Sequence, residues 1–134
     1  MNTTYQNTLG RLIALLFLAG GSATALGGDM SESCDSQRGE VIYQKCATCH
    51  PITDDGQHGA GPNLFGILNQ DIGKKPGYKY SKALRKTDGQ WTEETLHTFL
   101  NNPMQTYPGT SMGFSGLKQQ RDRDDVICFL YLQQ

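Results

Sequence analysis

The sequence predicts an all-α domain in which short helices and long loops wrap around a group that is not polypeptide. Two observations carry that expectation. Four stretches read as helices, and none alternates in the way of a strand. Between them lie "DDGQHGAGPNLFG", "KKPGY" and "TYPGTSMGFSG", glycine- and proline-rich segments poorly suited to covering a core of their own. A chain of 134 residues is enough for one such domain.

The elements follow in chain order. Arg11 is the only charged side chain before Asp29; "LIALLFLAGG" follows it, then "ATA" at Ala23 to Ala25. A basic start, a short apolar run and a small-residue cleavage signal read as a secretory signal peptide, residues 1–25, cut after Ala25. The apolar run is too short for a spanning helix of about 20 residues. Residues 26–134 then form the mature domain, with 11 Lys and Arg against 13 Asp and Glu, a formal charge of −2. This balance argues against a nucleic-acid partner.

Asp35 to Cys46 reads as the first helix, capped by Ser33 or Asp35, with Val41, Ile42 and Cys46 sharing a face. Ser81 caps a short helix in "SKALRK". Thr92 caps "TEETLHTFLNN", where Glu93 and Glu94 suit the positive N-terminus and Leu96, Phe99 and Leu100 form an apolar stripe. Pro103 stops it. The last helix runs from about Asp122 to Tyr131, with Val126, Phe129 and Leu130 on one side.

The first helix ends in "KCATCH", Lys45 to His50. A structural zinc site needs four ligands, usually a second close pair, whereas Cys34 and Cys128 stand alone. A redox dithiol belongs at a helix start after a strand, and this motif sits at a helix end. CxxCH is the signature of c-type haem attachment: each thiol adds to a porphyrin vinyl group, and the adjacent histidine reaches the iron. The fold class is therefore all-α, with short helices and long loops around one covalently attached haem c. Candidates for a second axial ligand are Met30, Met104, Met112, His58 and His97. A methionine is more often core filler. Met112, however, lies in "YPGTSMGF", where Pro108, Gly109 and Gly113 set an irregular loop with no helical face to fill.

Taken together, "CATCH", "GAGPNLFG", "PGYKYSKAL", "WTEETLHTFLNNP" and "YPGTSMGF" resemble class I cytochrome c of the mitochondrial type, including its small bacterial periplasmic relatives. The resemblance runs without a gap from His50 to the C-terminus. It implies that Cys46 and Cys49 carry the thioethers, with His50 and Met112 as the proximal and distal ligands. Pro62 is similar to the proline whose carbonyl accepts the other ring N–H of the ligand histidine. Tyr80 and Trp91 match residues that hydrogen-bond a haem propionate, and Thr110 matches the threonine supporting that region. His58 matches a loop-locking histidine bonded to a carbonyl near Pro76, while His97 is expected to be solvated. Gln70, Leu84 and Phe99 depart from a common arginine, asparagine and tyrosine, changes with opposing effects on the reduction potential. Ile42 stands where the family aromatic usually lies and Tyr43 follows it, so either is a candidate to pack on Phe129 and Val126.

The implied function is a soluble one-electron carrier in the periplasm, docking transiently as a monomer on redox proteins: a cytochrome reductase, an oxidase, a dehydrogenase or a photosynthetic complex. The competing readings are a haem subunit fixed to an oxidoreductase and, with less support, a haem peroxidase or gas sensor; Met112 argues against the last two. Relatives carry a lysine ring around the haem edge. Here Lys45 and Lys118 remain, while Met104, Gln105, Ser111, Gln119 and Gln120 are neutral, which implies weaker electrostatic steering. Lys74, Lys75, Lys79, Lys82, Arg85 and Lys86 instead place six cations and no acid within 13 residues. In this family the first and last helices pack together, so a disulfide between Cys34 and Cys128 is expected, permitted by export. The alternative is a buried free thiol at Cys128 and an exposed one at Cys34.

Overall fold

The computed structural model describes residues 34–134; the expected signal peptide and Met30 lie outside them. Five helices appear: α1 (Ser36–Ala47), α2 (Lys82–Arg85), α3 (Glu93–Asn101), α4 (Pro103–Thr106) and α5 (Gln120–Tyr131). Among the described residues there is no strand, only one isolated antiparallel bridge between Asp71 and Gln90.

The caps form as local chemistry dictates. Asp35 accepts the Arg38 N–H at 2.9 Å, and Ser81 accepts that of Leu84 at 3.3 Å. Thr92 and Thr95 close a reciprocal capping box. Pro103 ends α3 as expected, but it also opens α4. Its missing N–H is no loss at a first helical position, and Asn102 caps that turn by accepting the Gln105 N–H at 3.3 Å. The last helix starts two residues before the expected Asp122, with no side-chain cap.

α1 and α5 cross closely. A Cβ added at Gly39 would stand 2.0 Å from the Asp125 carbonyl oxygen, so only glycine permits the approach. The buried face of α1 is Gly39, Ile42 and Tyr43. Val41, expected on that face, is 69% exposed. Tyr43, one turn from Gly39, packs its ring on Phe129 with centroids 5.3 Å apart, while Ile42 is buried in the same core cluster as Val126. Around the crossing, Arg38 pairs with Asp122 and the buried Asp125, and Asp125 Oδ1 accepts the Asp35 N–H at 2.9 Å. Cys34 and Cys128 form the expected disulfide.

His97 departs from the solvated role expected of it. Arg123 Nε donates to its Nδ1 at 3.1 Å, and its Nε2 donates to Asp124 at 2.6 Å, joining α3 to α5. Arg123 itself is buried and satisfies the Leu117 and Lys118 carbonyls at 2.6 and 3.0 Å.

Candidate functional site

The helices and the irregular segments together enclose a cavity of about 580 Å³, within the range of roughly 300–1,000 Å³ usual for ligand and cofactor clefts. Every site residue singled out in the sequence lines it: Cys46, Cys49, His50, Pro62, Tyr80, Trp91, Thr110 and Met112. The remaining wall is largely apolar, including Leu64, Ile67, Leu84, Leu96, Phe99 and Leu100.

One wall grows from the end of α1. The Cys49 and His50 N–H groups both donate to the Cys46 carbonyl, at 3.0 and 2.9 Å, so CxxCH continues the helix as a tight turn. Cys46 and Cys49 are the free cysteines of the described chain, and the other two are committed to the disulfide, which leaves a zinc site short of thiolates. Burial pushes the Cys46 thiol upward, against the opposing pull of Lys45.

His50 is held by the backbone on two sides. Its Nδ1 donates to the Pro62 carbonyl at 2.7 Å. A carbonyl can only accept, so the neutral ring carries its proton on Nδ1. Nε2 makes no hydrogen bond among the described residues and keeps its lone pair for the cavity. Burial lowers the imidazole below its ordinary pKa, with the Pro62 carbonyl pulling the other way. Gly61 lies under the ring, where an added Cβ would stand 2.3 Å from His50 Cε1.

The loop behind Pro62 depends on residues that the sequence reading either left out or assigned by resemblance. Asn63 is fully buried; its amide donates to the Thr53 and Gln57 carbonyls at 2.8 and 3.0 Å, and its Oδ1 accepts the Phe65 N–H at 2.8 Å. An Asn in a turn-rich segment commonly captures the backbone N–H two residues on, as Asn63 does for Phe65. His58 accepts the Asn63 N–H at 3.0 Å and donates to the Pro76 carbonyl at 2.9 Å, the locking contact expected of it. Tyr78, absent from the expected site, donates to the Ala60 carbonyl at 2.7 Å and also lines the cavity.

The other walls come from later segments. Thr110 is buried, and its hydroxyl accepts the Met112 N–H at 3.3 Å. The turn before it needs Gly109 at φ 90°, which few other residues adopt. Met112 is half-buried against the core with its side chain on the cavity. Tyr80 and Trp91 are buried at 6% and 5% exposure. Burial raises the Tyr80 phenol to about 12, so it stays a donor. The Trp91 indole N–H has no acceptor among the described residues and is free for an occupant's acidic group.

Two thiols, an imidazole with a free Nε2, a thioether, two aromatic donors and apolar walls fit a covalently tethered haem. The cytochrome c family model matches residues 36–131. Cytochrome c of Gossypium barbadense is 42% identical over 97 residues, covering 72% of this chain and 87% of that relative. Cytochrome c2 of Rhodomicrobium vannielii is 38% identical over 99 residues, covering 74% and 79%. Among solved structures, cytochrome cH from Methylobacterium extorquens superposes with a TM-score of 0.69 at 32% identity, over 73% of this chain and 98% of that one. The chain belongs to the cytochrome c family and has the class I fold, whose cofactor is one covalently attached haem c.

Proposed function

We propose that this cytochrome is a periplasmic one-electron carrier whose haem is tethered by Cys46 and Cys49 and ligated by His50 and Met112. The observation that carries the reading is that the free Nε2 of His50 and the Met112 side chain line the same cavity as the two unpaired cysteines. Haem c supplies a one-electron iron couple. The chain's own residues do the rest. Pro62 keeps the His50 proton on Nδ1 and fixes the ring. Thr110 holds the backbone of Met112. Tyr80 and Trp91 offer donors to the propionates, and Leu84 and Phe99 keep water from that wall.

With both His50 and Met112 as ligands, a bound haem would offer no position to a substrate, which supports electron carriage to redox proteins over catalysis. The periplasmic location rests on the leader pattern of residues 1–25 and on the Cys34–Cys128 disulfide, which belongs to an oxidising compartment. Among the described residues no helix is long and apolar enough to cross a membrane.

Absorption spectra of the purified holoprotein in both oxidation states test the ligand assignment. The oxidised form should show the far-red methionine–iron band, and the reduced form should resist carbon monoxide. Met112→Ala should lose the band and bind carbon monoxide readily. A wild type without the band would remove Met112 from the site. Mass spectrometry of the mature protein should find its N-terminus at Leu26.

A further inference from the structure

The cations of residues 74–86 take no part in the cavity's chemistry, yet their arrangement is specific. This segment holds six of the chain's 12 Lys and Arg and no acid. The chain folds back on itself there: a Cβ added at Gly73 would stand 2.4 Å from the Leu84 carbonyl oxygen. Lys74 Nζ donates to the Arg85 carbonyl, and Arg85 donates to the Tyr80 carbonyl at 2.6 Å. These bonds hold Lys74 and Arg85 against the α2 turn without neutralising them, because the acceptors are carbonyls and not carboxylates; Lys75 donates to the Phe65 carbonyl instead. None of the ion pairs among the described residues includes a cation of this segment. Lys79, Lys82 and Lys86 are exposed. Elsewhere the pattern reverses, since Arg38 is paired with two aspartates and Arg123 is buried.

The surface backs directly onto the cavity, because Tyr80 and Leu84 are part of its wall. We infer that the α2 face, with Lys79, Lys82 and Lys86 at its centre, docks an acidic patch on a partner redox protein. This inference rests on the carrier reading above. A protein patch fits better than a lipid surface. The cationic segment is bounded by Asp71 and Asp88, which suits a finite counter-patch. Among the described residues the exposed large apolar side chains are Val41, Met104, Tyr131 and Leu132, none of them here, so the face has nothing to insert into acyl chains. The expected haem edge keeps only two cations, Lys45 and Lys118, against six in this segment.

The test uses holoprotein and reduced flavodoxin, a small acidic flavoprotein, as the electron donor. Lys79→Glu/Lys82→Glu/Lys86→Glu should slow bimolecular reduction at least tenfold at low salt, the lower end of steering effects of roughly 10–10³. The difference should vanish by about 0.5 M salt. The triple Lys→Gln variant should fall in between, and Lys45→Glu/Lys118→Glu should lose less than the triple reversal. Reduction by neutral hydroquinone should be the same for all. An unchanged flavodoxin rate in the triple reversal, or an equal loss in the Lys45/Lys118 variant, overturns the inference while leaving the carrier reading intact. So does a triple variant that keeps its flavodoxin rate but no longer co-sediments with phosphatidylserine vesicles, which would assign the face to lipid. A wild type that hydroquinone cannot reduce overturns the carrier reading, and this inference with it.

Discussion

Gly39→Ala sets two effects of opposite sign against each other. In an exposed helix the exchange stabilises by about 1 kcal/mol through backbone entropy. Here the new methyl would lie 2.0 Å from the Asp125 carbonyl oxygen and 2.8 Å from Phe129 Cβ, and ordinary contact begins at 3.4 Å. Backbone on the far side cannot rotate away, so α1 and α5 must part. The Arg38–Asp125 pair, the Tyr43–Phe129 stack and the Cys34–Cys128 bond all resist that separation. Overpacking of this kind costs about 1–3 kcal/mol, and the restraints place it at the upper end. The net expectation is a loss of about 2 kcal/mol, or a urea midpoint lower by about 1 M at a slope of about 2 kcal/mol/M. Trp91, the chain's single tryptophan, reports unfolding through its fluorescence, which a neighbouring haem quenches only in the folded state. A midpoint that stays or rises would show that the helices do not meet at Gly39.

Replacing both Cys34 and Cys128 by alanine opens a loop spanning 94 residues and should cost at most about 4.7 kcal/mol by loop-closure entropy. Thermal unfolding should shift down by more than about 10 °C, and unfolded, unreduced wild type should contain no titratable thiol. Burial alone would raise the Asp125 carboxyl, but the Asp35 N–H and Arg38 outweigh it and set its pKa below the ordinary value. A depressed folded pKa stabilises above the unfolded value of about 3.9 and is lost as pH falls through the folded one; Asp125→Asn should therefore be less stable at pH 7 and lose less than wild type on acidification to pH 3, by urea midpoints. Asn63→Ala strands two carbonyls and one N–H in the loop that carries Pro62 and should cost about 2–4 kcal/mol, with a shift in reduction potential as the His50 support loosens.

Cys46, Cys49, His50 and Met112 are legible because covalent chemistry and loop grammar leave short signatures, whereas Pro62, Tyr80, Trp91 and Thr110 are reached only through the family resemblance. CxxCH fixes spacing by the reach of two thiols, and Met112 stands out as a methionine in a loop with no face to fill. Caps were equally readable at Asp35, Ser81 and Thr92, since each depends on one side chain and its own next turn. Val41 was misplaced for the opposite reason. Val41, Ile42 and Tyr43 sweep too wide an arc to share a face, and the direction they turn is set by Gly39, whose role appears only when α5 lies against it. His97 looked solvated because its partners, Arg123 and Asp124, are about 26 residues away on another helix. Asn63 was inside a quoted motif, yet nothing local indicates that its amide collects carbonyls from Thr53 and Gln57.

The long loops make physical sense once the size of the cavity is set against the stability of a small domain. A space of about 580 Å³ walled largely by apolar side chains is large for a small domain, whose whole folding free energy is only about 5–15 kcal/mol. Residues such as Leu84, Leu96, Phe99 and Leu100 face that space and are still almost wholly buried. The core of this fold is thus completed by its cofactor. What the peptide must supply is a set of backbone walls at fixed positions, and it does so with side chains that capture carbonyls and N–H groups: Asn63, His58, Tyr78 and Thr110. Segments with no regular hydrogen bonding of their own acquire fixed positions in this way, which places the partners of His50 and the backbone of Met112 without a strand or a long helix on either side.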